Sequence, residues 1–163
     1  MAFKKKLALF LAEFDLQVEQ IQKIYSTLEK KYASFESADV SIEMVESAGY
    51  WLHNLYCAFE DLFKVVAGFW ENGVGTDESF HIHLLKRMQV RIEGIRPALI
   101  SKESYAGLNE IRGFRHVFRH AYSYGLDDQR VLHLLRNVLS TKCIILGDIQ
   151  QFKNKVKSIE LEE

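Results

Sequence analysis

The chain has 163 residues, 48% of them apolar and 26% charged, with 21 lysines and arginines against 22 acids and a formal net charge of −1. That length and apolar share suit a single domain, residues 1–163, with a core of its own. Near-neutrality excludes a protein that coats nucleic acid through bulk charge alone.

The opening "MAFKKKLALFLAEFDL" begins like a secretory signal, but Glu13 and Asp15 end the apolar run early and no small-residue cleavage site follows. No stretch approaches the roughly 20 apolar residues needed to span a bilayer, so the chain reads as cytoplasmic with no membrane partner. Leu11, Phe14, Val18, Ile21, Tyr25, Leu28, Tyr32 and Phe35 alternate three- and four-residue steps, the stripe of a long first helix. "SFESADVS" interrupts it. Ala48, Leu52, Leu55, Phe59, Leu62, Val66 and Phe69 mark a second long helix, which stops at the glycine-bearing "ENGVG".

A third helix is expected over about 79–95, ending before Pro97 because the residue preceding proline is biased out of helical geometry. A fourth runs from about 103 to 123. Gly125 then offers a stop, Asp127 an N-cap, and Leu126 with Val131 an apolar staple for the fifth helix. Ile145, Ile149, Phe152, Val156 and Ile159 carry that helix almost to the C-terminus. No segment alternates as a strand does. The fold class expected is an all-α, up-and-down bundle of about five helices. Cys57 and Cys143 sit in apolar helical patterns without CxxC or Cys/His spacing and are expected to be buried free thiols.

Charge is segregated along the chain. Residues 1–78 hold seven lysines, no arginine and 13 acids, whereas residues 79–142 hold three lysines, all eight arginines and five acids. Either the halves pair with each other or one face carries a positive potential. The densest stretch is "RGFRHVFRHAYSY", residues 112–124. At about 100° per residue, setting Arg115 to zero puts Arg119 near 40°, Arg112 near 60°, His116 near 100° and His120 near 140°. Ile111, Phe114, Val117, Phe118 and Ala121 fall on the other side. The cationic face carries no carboxylate, and Glu110 is the nearest acid in sequence.

Several readings of that face stay open. Its arginines could pair with acids on the first two helices, or grip phosphate or a nucleic-acid backbone. His116 and His120 could share a zinc ion, but lack a third and fourth ligand. The residue types also suit metal-free RNA cleavage: histidine moves protons near neutrality, and arginine holds the charge of a phosphorane-like transition state. Arg115 and His120 do not readily meet over one phosphate on a straight helix. A second copy of the helix would bring an arginine and a histidine from each chain into one groove.

Arg115, His116 and His120, as "RHVFRH", resemble the signature of the HEPN superfamily, an arginine followed four to six residues later by histidine, often with Asn, Asp or His directly after the arginine. Tyr122, in "HAY", completes the Arg-x4-His-x-Tyr pattern of the HepT-like toxins. "LYCAFEDLFK" in the second helix is similar in general pattern to that family's second helix. The resemblance implies a HEPN-like helical-bundle homodimer acting as a metal-independent endoribonuclease toxin on RNA, with no cofactor. It also implies an MNT-type nucleotidyltransferase antitoxin that adenylylates the motif tyrosine. Position by position, it implies Arg115 for phosphate binding and transition-state charge, His120 for proton transfer, His116 for support and Tyr122 as the residue modified. Arg112 and Arg119 lie outside the motif and join the set because they share its face. On an ideal wheel Tyr122 stands well off His120, so either the helix bends near its end or the tyrosine serves the other subunit's site. The alternative is a non-catalytic HEPN-type partner or substrate-binding protein of a nucleotidyltransferase.

Overall fold

The computed structural model describes residues 2–37, 39–72, 75, 77 and 79–162. Its helices are α1 (Ala2–Ser37), α2 (Ile42–Trp70), α3 (Phe80–Met88), α4 (Lys102–Arg119) and α5 (Asp128–Glu162), with a 3₁₀ turn at Ala121–Ser123 joining the last two. Among the described residues the only extended pairing is an isolated bridge between Ile92 and Arg96. The chain therefore forms the all-α bundle that its apolar spacing implies. None of these helices is long and apolar enough to cross a membrane.

Helix α2 is the centre of the bundle and touches each of the other four. That position explains its composition, because a helix covered on several sides needs apolar residues beyond a single stripe. Leu52, Leu55, Tyr56, Phe59, Leu62, Phe63 and Val66 are all buried. Aromatic contacts knit the core: Phe14 of α1 stacks on Phe152 of α5 at 5.7 Å, and Tyr25 of α1 meets Phe59 edge-on at 6.1 Å. Burial at roughly 25 cal/mol per Å² makes these long faces the main driving force for assembly.

The first two helices begin earlier than their expected stripes. Leu7 and Phe10 extend the α1 stripe toward the N-terminus, and Ser41 caps α2 by accepting a hydrogen bond from the Met44 amide at 3.2 Å. Gly73 and Val74, in the turn expected to end α2, lie outside the described residues. In α5, Asp127 caps as expected, its Oδ1 accepting from the Arg130 amide at 3.2 Å. Ile159 lies one turn beyond Val156, the last buried residue among those described, and is exposed.

The third helix is shorter than its expected span and stops at Met88. The cause is tertiary. Arg96 is buried, donates to Glu71 through Nε at 2.6 Å, and donates to the carbonyls of Arg87, Val90 and Pro97 at 3.1 to 3.2 Å. The guanidinium thus takes the carbonyls of a folded-back loop, where the spacing alone suggested another helical turn. The fourth helix also ends early, at Arg119, and Gly125 supplies the left-handed residue (φ 73°) that turns the chain toward α5.

Two contacts set the pose of α4. At its start Ser101 accepts from the Ser104 amide at 3.2 Å, while Asp148 of α5 accepts from the Ser101 amide at 2.8 Å, the Ser101 hydroxyl at 2.6 Å and the Ser104 hydroxyl at 2.5 Å. Near its end Phe118 lies against Gly49 of α2, where a Cβ would approach Phe118 Cδ2 to 3.4 Å and Leu126 Cδ1 to 2.7 Å. Because Asp148 gathers three donors around the buried Ser104, Asp148→Ala should lower stability by about 1 to 3 kcal/mol. Urea denaturation measures this; an unchanged midpoint would show that the carboxylate does not anchor α4.

Candidate active site on α4

The inner side of α4 buries Leu108, Ile111 and Phe114, and this fixes the helix rotation so that His116 and Arg119 are exposed while Arg112 and Arg115 lie half-buried at its flank. Arg115 nevertheless finds an acid. Its Nη1 lies 3.3 Å from Oε2 and 3.4 Å from Oε1 of Glu60 on α2, a side chain only 6% exposed. His81 of α3 completes the group, with Nδ1 2.5 Å from Glu60 Oε2 and 3.0 Å from Arg115 Nη1. Lys64, one turn along α2, approaches Glu60 Oε1 at 3.6 Å. A buried carboxylate is tolerable only when paired and hydrogen-bonded, and three helices contribute to that pairing.

Arg115 is not exhausted by these contacts. Its side chain is 22% exposed, all of its partners among the described residues sit on Nη1, and Nε is buried without a partner. Guanidinium carries five N–H donors in a fixed fork, so Nη2 remains available to an incoming oxyanion.

The end of α4 is a second cluster. His120 is the C-cap residue, and the chain passes directly into the 3₁₀ turn that carries Tyr122. The rings of His116 and His120 meet edge-on with centroids 4.4 Å apart, and His120 lies 6.5 Å from the Tyr122 ring. Leaving the α-helix before Tyr122 thus brings histidine and tyrosine together where an ideal wheel separates them. Tyr122 is 88% exposed. Among the described residues, His116, Arg119 and His120 have no side-chain hydrogen bond or ion pair, and Arg112 donates only to Asn109 at 3.0 Å. Glu110, the nearest acid in sequence, faces α5 and accepts from Asn137 at 3.2 Å.

The candidate residues therefore divide. Arg115 is drawn toward Glu60 and His81, whereas His116, His120 and Tyr122 gather at the helix end. Pairing with the acidic first half holds for Arg115 but not for Arg112 or Arg119. Glu60 and His81 were not anticipated in this role, although Glu60 carries a signal. It lies four residues after Tyr56 and three before Phe63, both buried, so a carboxylate interrupts an apolar stripe. Among the described residues no three His, Cys, Asp or Glu side chains are placed to hold a metal ion. Both cysteines are free thiols; Cys57 is half-buried, and Cys143, expected inside, is exposed because its position on α5 faces away from the core.

A fourth imidazole borders the arginines. His53 of α2 stacks on Phe118 at 5.1 Å, with Nε2 3.6 Å from Cys57 Sγ and Nδ1 buried without a partner. Burial first, then the charges of Arg115 and Arg119, push its imidazole below the ordinary value of 6.5. Burial likewise raises the Cys57 thiol, with Arg115 opposing, and raises the Tyr56 phenol, with Glu60 adding to the effect.

Residues 47–156, well over half of the chain, match the family model described as HepT-like protein. No curated protein and no solved structure matches significantly.

The His53 environment yields a pH prediction. Folding holds this imidazole neutral, so as pH falls the unfolded chain takes up the proton first. Its contribution is intact above 6.5 and is lost as pH drops through the lower folded-state value. His53→Phe keeps a ring on Phe118 but cannot titrate, and should make the fall in melting temperature between about pH 7 and pH 5 shallower than in the wild type. Parallel melting curves across that range would rule the effect out.

Proposed function

Because the chain belongs to the HepT-like family of the HEPN superfamily, we propose that it is a metal-independent endoribonuclease toxin of a toxin–antitoxin pair, working in the cytoplasm as a homodimer. The observation that carries this reading is the uncompensated cationic surface at the end of α4. Arg112, Arg119, His116 and His120 find no acid among the described residues, and Arg115 beside them keeps Nη2 available. Like charges gathered on one exposed face repel one another and create a positive potential that attracts an anion. A phosphodiester satisfies that requirement in charge and in geometry.

In the reaction Arg115 binds the scissile phosphate and offsets the charge that builds on it, as fixed donors do for other oxyanions. His120 transfers a proton, while His116, Arg112 and Arg119 support the site and the RNA backbone. Attack by the 2′-hydroxyl leaves a cyclic phosphate end. Arg115 points toward α2 and His120 stands at the helix end, so the site becomes composite when α4 of a second copy crosses the first. Tyr122, exposed beside His120, is the residue we assign to adenylylation by a partner MNT-type nucleotidyltransferase, and a nucleotide there would block the groove and repel RNA.

One observation favours a second reading. The ion pair with Glu60 already spends part of the Arg115 charge, as suits a non-catalytic partner or substrate-binding protein of the nucleotidyltransferase. Cleavage assays separate the two. The nuclease reading expects Arg115→Ala and His120→Ala each to lower RNA cleavage by about 10²-fold or more while circular dichroism stays native and EDTA has no effect. Mixing the two inactive variants should restore part of the activity if the site is composite. Wild-type cleavage undiminished in His120→Ala would refute the assignment; a wild type that binds the nucleotidyltransferase but cuts no RNA would establish the partner reading. Co-expression with the nucleotidyltransferase should add an adenylyl mass to the wild type and none to Tyr122→Phe.

A further inference from the structure

The contact between Glu60 and His81 constrains more than charge. Arg115 and Lys64 can only donate to Glu60, so its carboxyl oxygens act as acceptors, and the 2.5 Å approach of His81 Nδ1 to Oε2 places a proton on Nδ1. Arg115 Nη1 lies 3.0 Å from Nδ1 and 3.5 Å from Nε2 of the same ring. Guanidinium only donates, and Nδ1 cannot both donate to Glu60 and accept from Arg115. A nitrogen close to both ring nitrogens cannot lie along either lone pair, so the guanidinium rests across the imidazole without taking its free electron pair. In the neutral ring the lone pair then belongs to Nε2, which has no other side-chain partner among the described residues and sits in a side chain 33% exposed.

The charges around the ring agree with that tautomer. Glu60 and, through it, Lys64 face His81 from α2, Arg115 faces it from α4, and on α3 the neighbouring Phe80 ring lies 4.8 Å away. Arg115 and Lys64 offset Glu60 together with Asp61, which Lys64 also meets at 3.2 Å, so what the imidazole contributes to Glu60 is a hydrogen bond. A carboxylate that fixes one ring nitrogen and leaves the other basic, beside a group that holds the reacting anion, is the arrangement of a general base and its orienter. His120 has no such orienter among the described residues.

We propose that His81 is the general base of this site, its Nε2 taking the proton of an RNA 2′-hydroxyl while Arg115 holds the neighbouring phosphate; the assignment rests on the ribonuclease reading above. The 2′-oxygen then forms its bond to phosphorus, the bond from phosphorus to the 5′-oxygen breaks, and the leaving oxygen takes a proton from the His120 imidazolium. The products are a 2′,3′-cyclic phosphate and a 5′-hydroxyl. His81 ends as an imidazolium beside Glu60 and His120 ends neutral, and exchange with water returns both.

Two measurements test this. The first compares wild type, His81→Asn and His120→Ala on total cellular RNA across pH. Asparagine can still donate to Glu60 from the position of Nδ1, so it preserves a positioning role and removes only the base. The expected result is a loss of about 10²- to 10⁴-fold in His81→Asn, together with disappearance of the acidic limb of the rate profile. Wild-type rates and an intact acidic limb in His81→Asn would overturn the base assignment and leave the ribonuclease reading standing. A wild type that cuts nothing would overturn both. The second measurement needs no activity: imidazole nitrogen NMR of the full-length protein should show His81 protonated at Nδ1 and should lose that signature in Glu60→Gln. The opposite tautomer in the wild type would refute the proposal even if the RNA is cut.

Discussion

A single buried carboxylate organises the functional end of this molecule. Glu60 sits on the central helix with its side chain almost wholly removed from water, and removing an ionised group from water costs several kcal/mol unless partners replace the lost hydration. The bundle supplies them from outside α2 as well as within it. Arg115 comes from α4, His81 from α3, and Lys64 from the next turn of α2. Such a cluster is poor evidence of extra stability, because apolar residues of similar volume often do as well. It does specify arrangement: the positions of α3 and α4 and the orientation of one guanidinium and one imidazole follow from where that carboxylate lies.

The segregated charge resolves along the same line. Three arginines of the basic half meet acids of the first: Glu71 takes Arg87 and the buried Arg96, and Glu60 takes Arg115. On α4 the half-buried Arg112 donates to the neutral Asn109, and the exposed Arg119 meets no acid among the described residues. Both readings of the sequence pattern are therefore realised at different depths. Burial enforces pairing, because an isolated interior charge is prohibitive, whereas an exposed cation can wait for a ligand.

This division explains what was legible in the sequence. The three- and four-residue apolar steps of α1, α2 and α5 identify helices because each step is a local property, and the core residues follow from them. The Asp127 cap and the Gly125 stop were legible for the same reason. The end of α3 was not, since it depends on Arg96 folding back onto the carbonyls of Arg87, Val90 and Pro97, on either side of the last helical residue, Met88. Nor was the proximity of His120 and Tyr122, which arises where helical geometry fails and a wheel no longer applies. The partner of Arg115 lay 55 residues away, beyond any periodicity. Only the oddity of a carboxylate between Tyr56 and Phe63 marked it.

The histidines of the site are consequently unequal. His81 is fixed in place and tautomer by Glu60, whereas His120 sits at a helix terminus with no hydrogen-bonding side-chain partner among the described residues. A proton acceptor acting on a hydroxyl of high pKa gains from a fixed lone pair and a nearby carboxylate that stabilises the resulting imidazolium. A proton donor gains from solvent access, which lets it reload between turnovers. Assigning base to the oriented ring and acid to the exposed one places each group where its environment assists it. It also makes the chemistry depend on helix packing: any movement that draws α3 away from α2 removes the base, while Arg115 keeps Glu60 but loses the imidazole beside it. One carboxylate thus ties the docking of α3 to the competence of Arg115, although neither residue lies near the other in sequence.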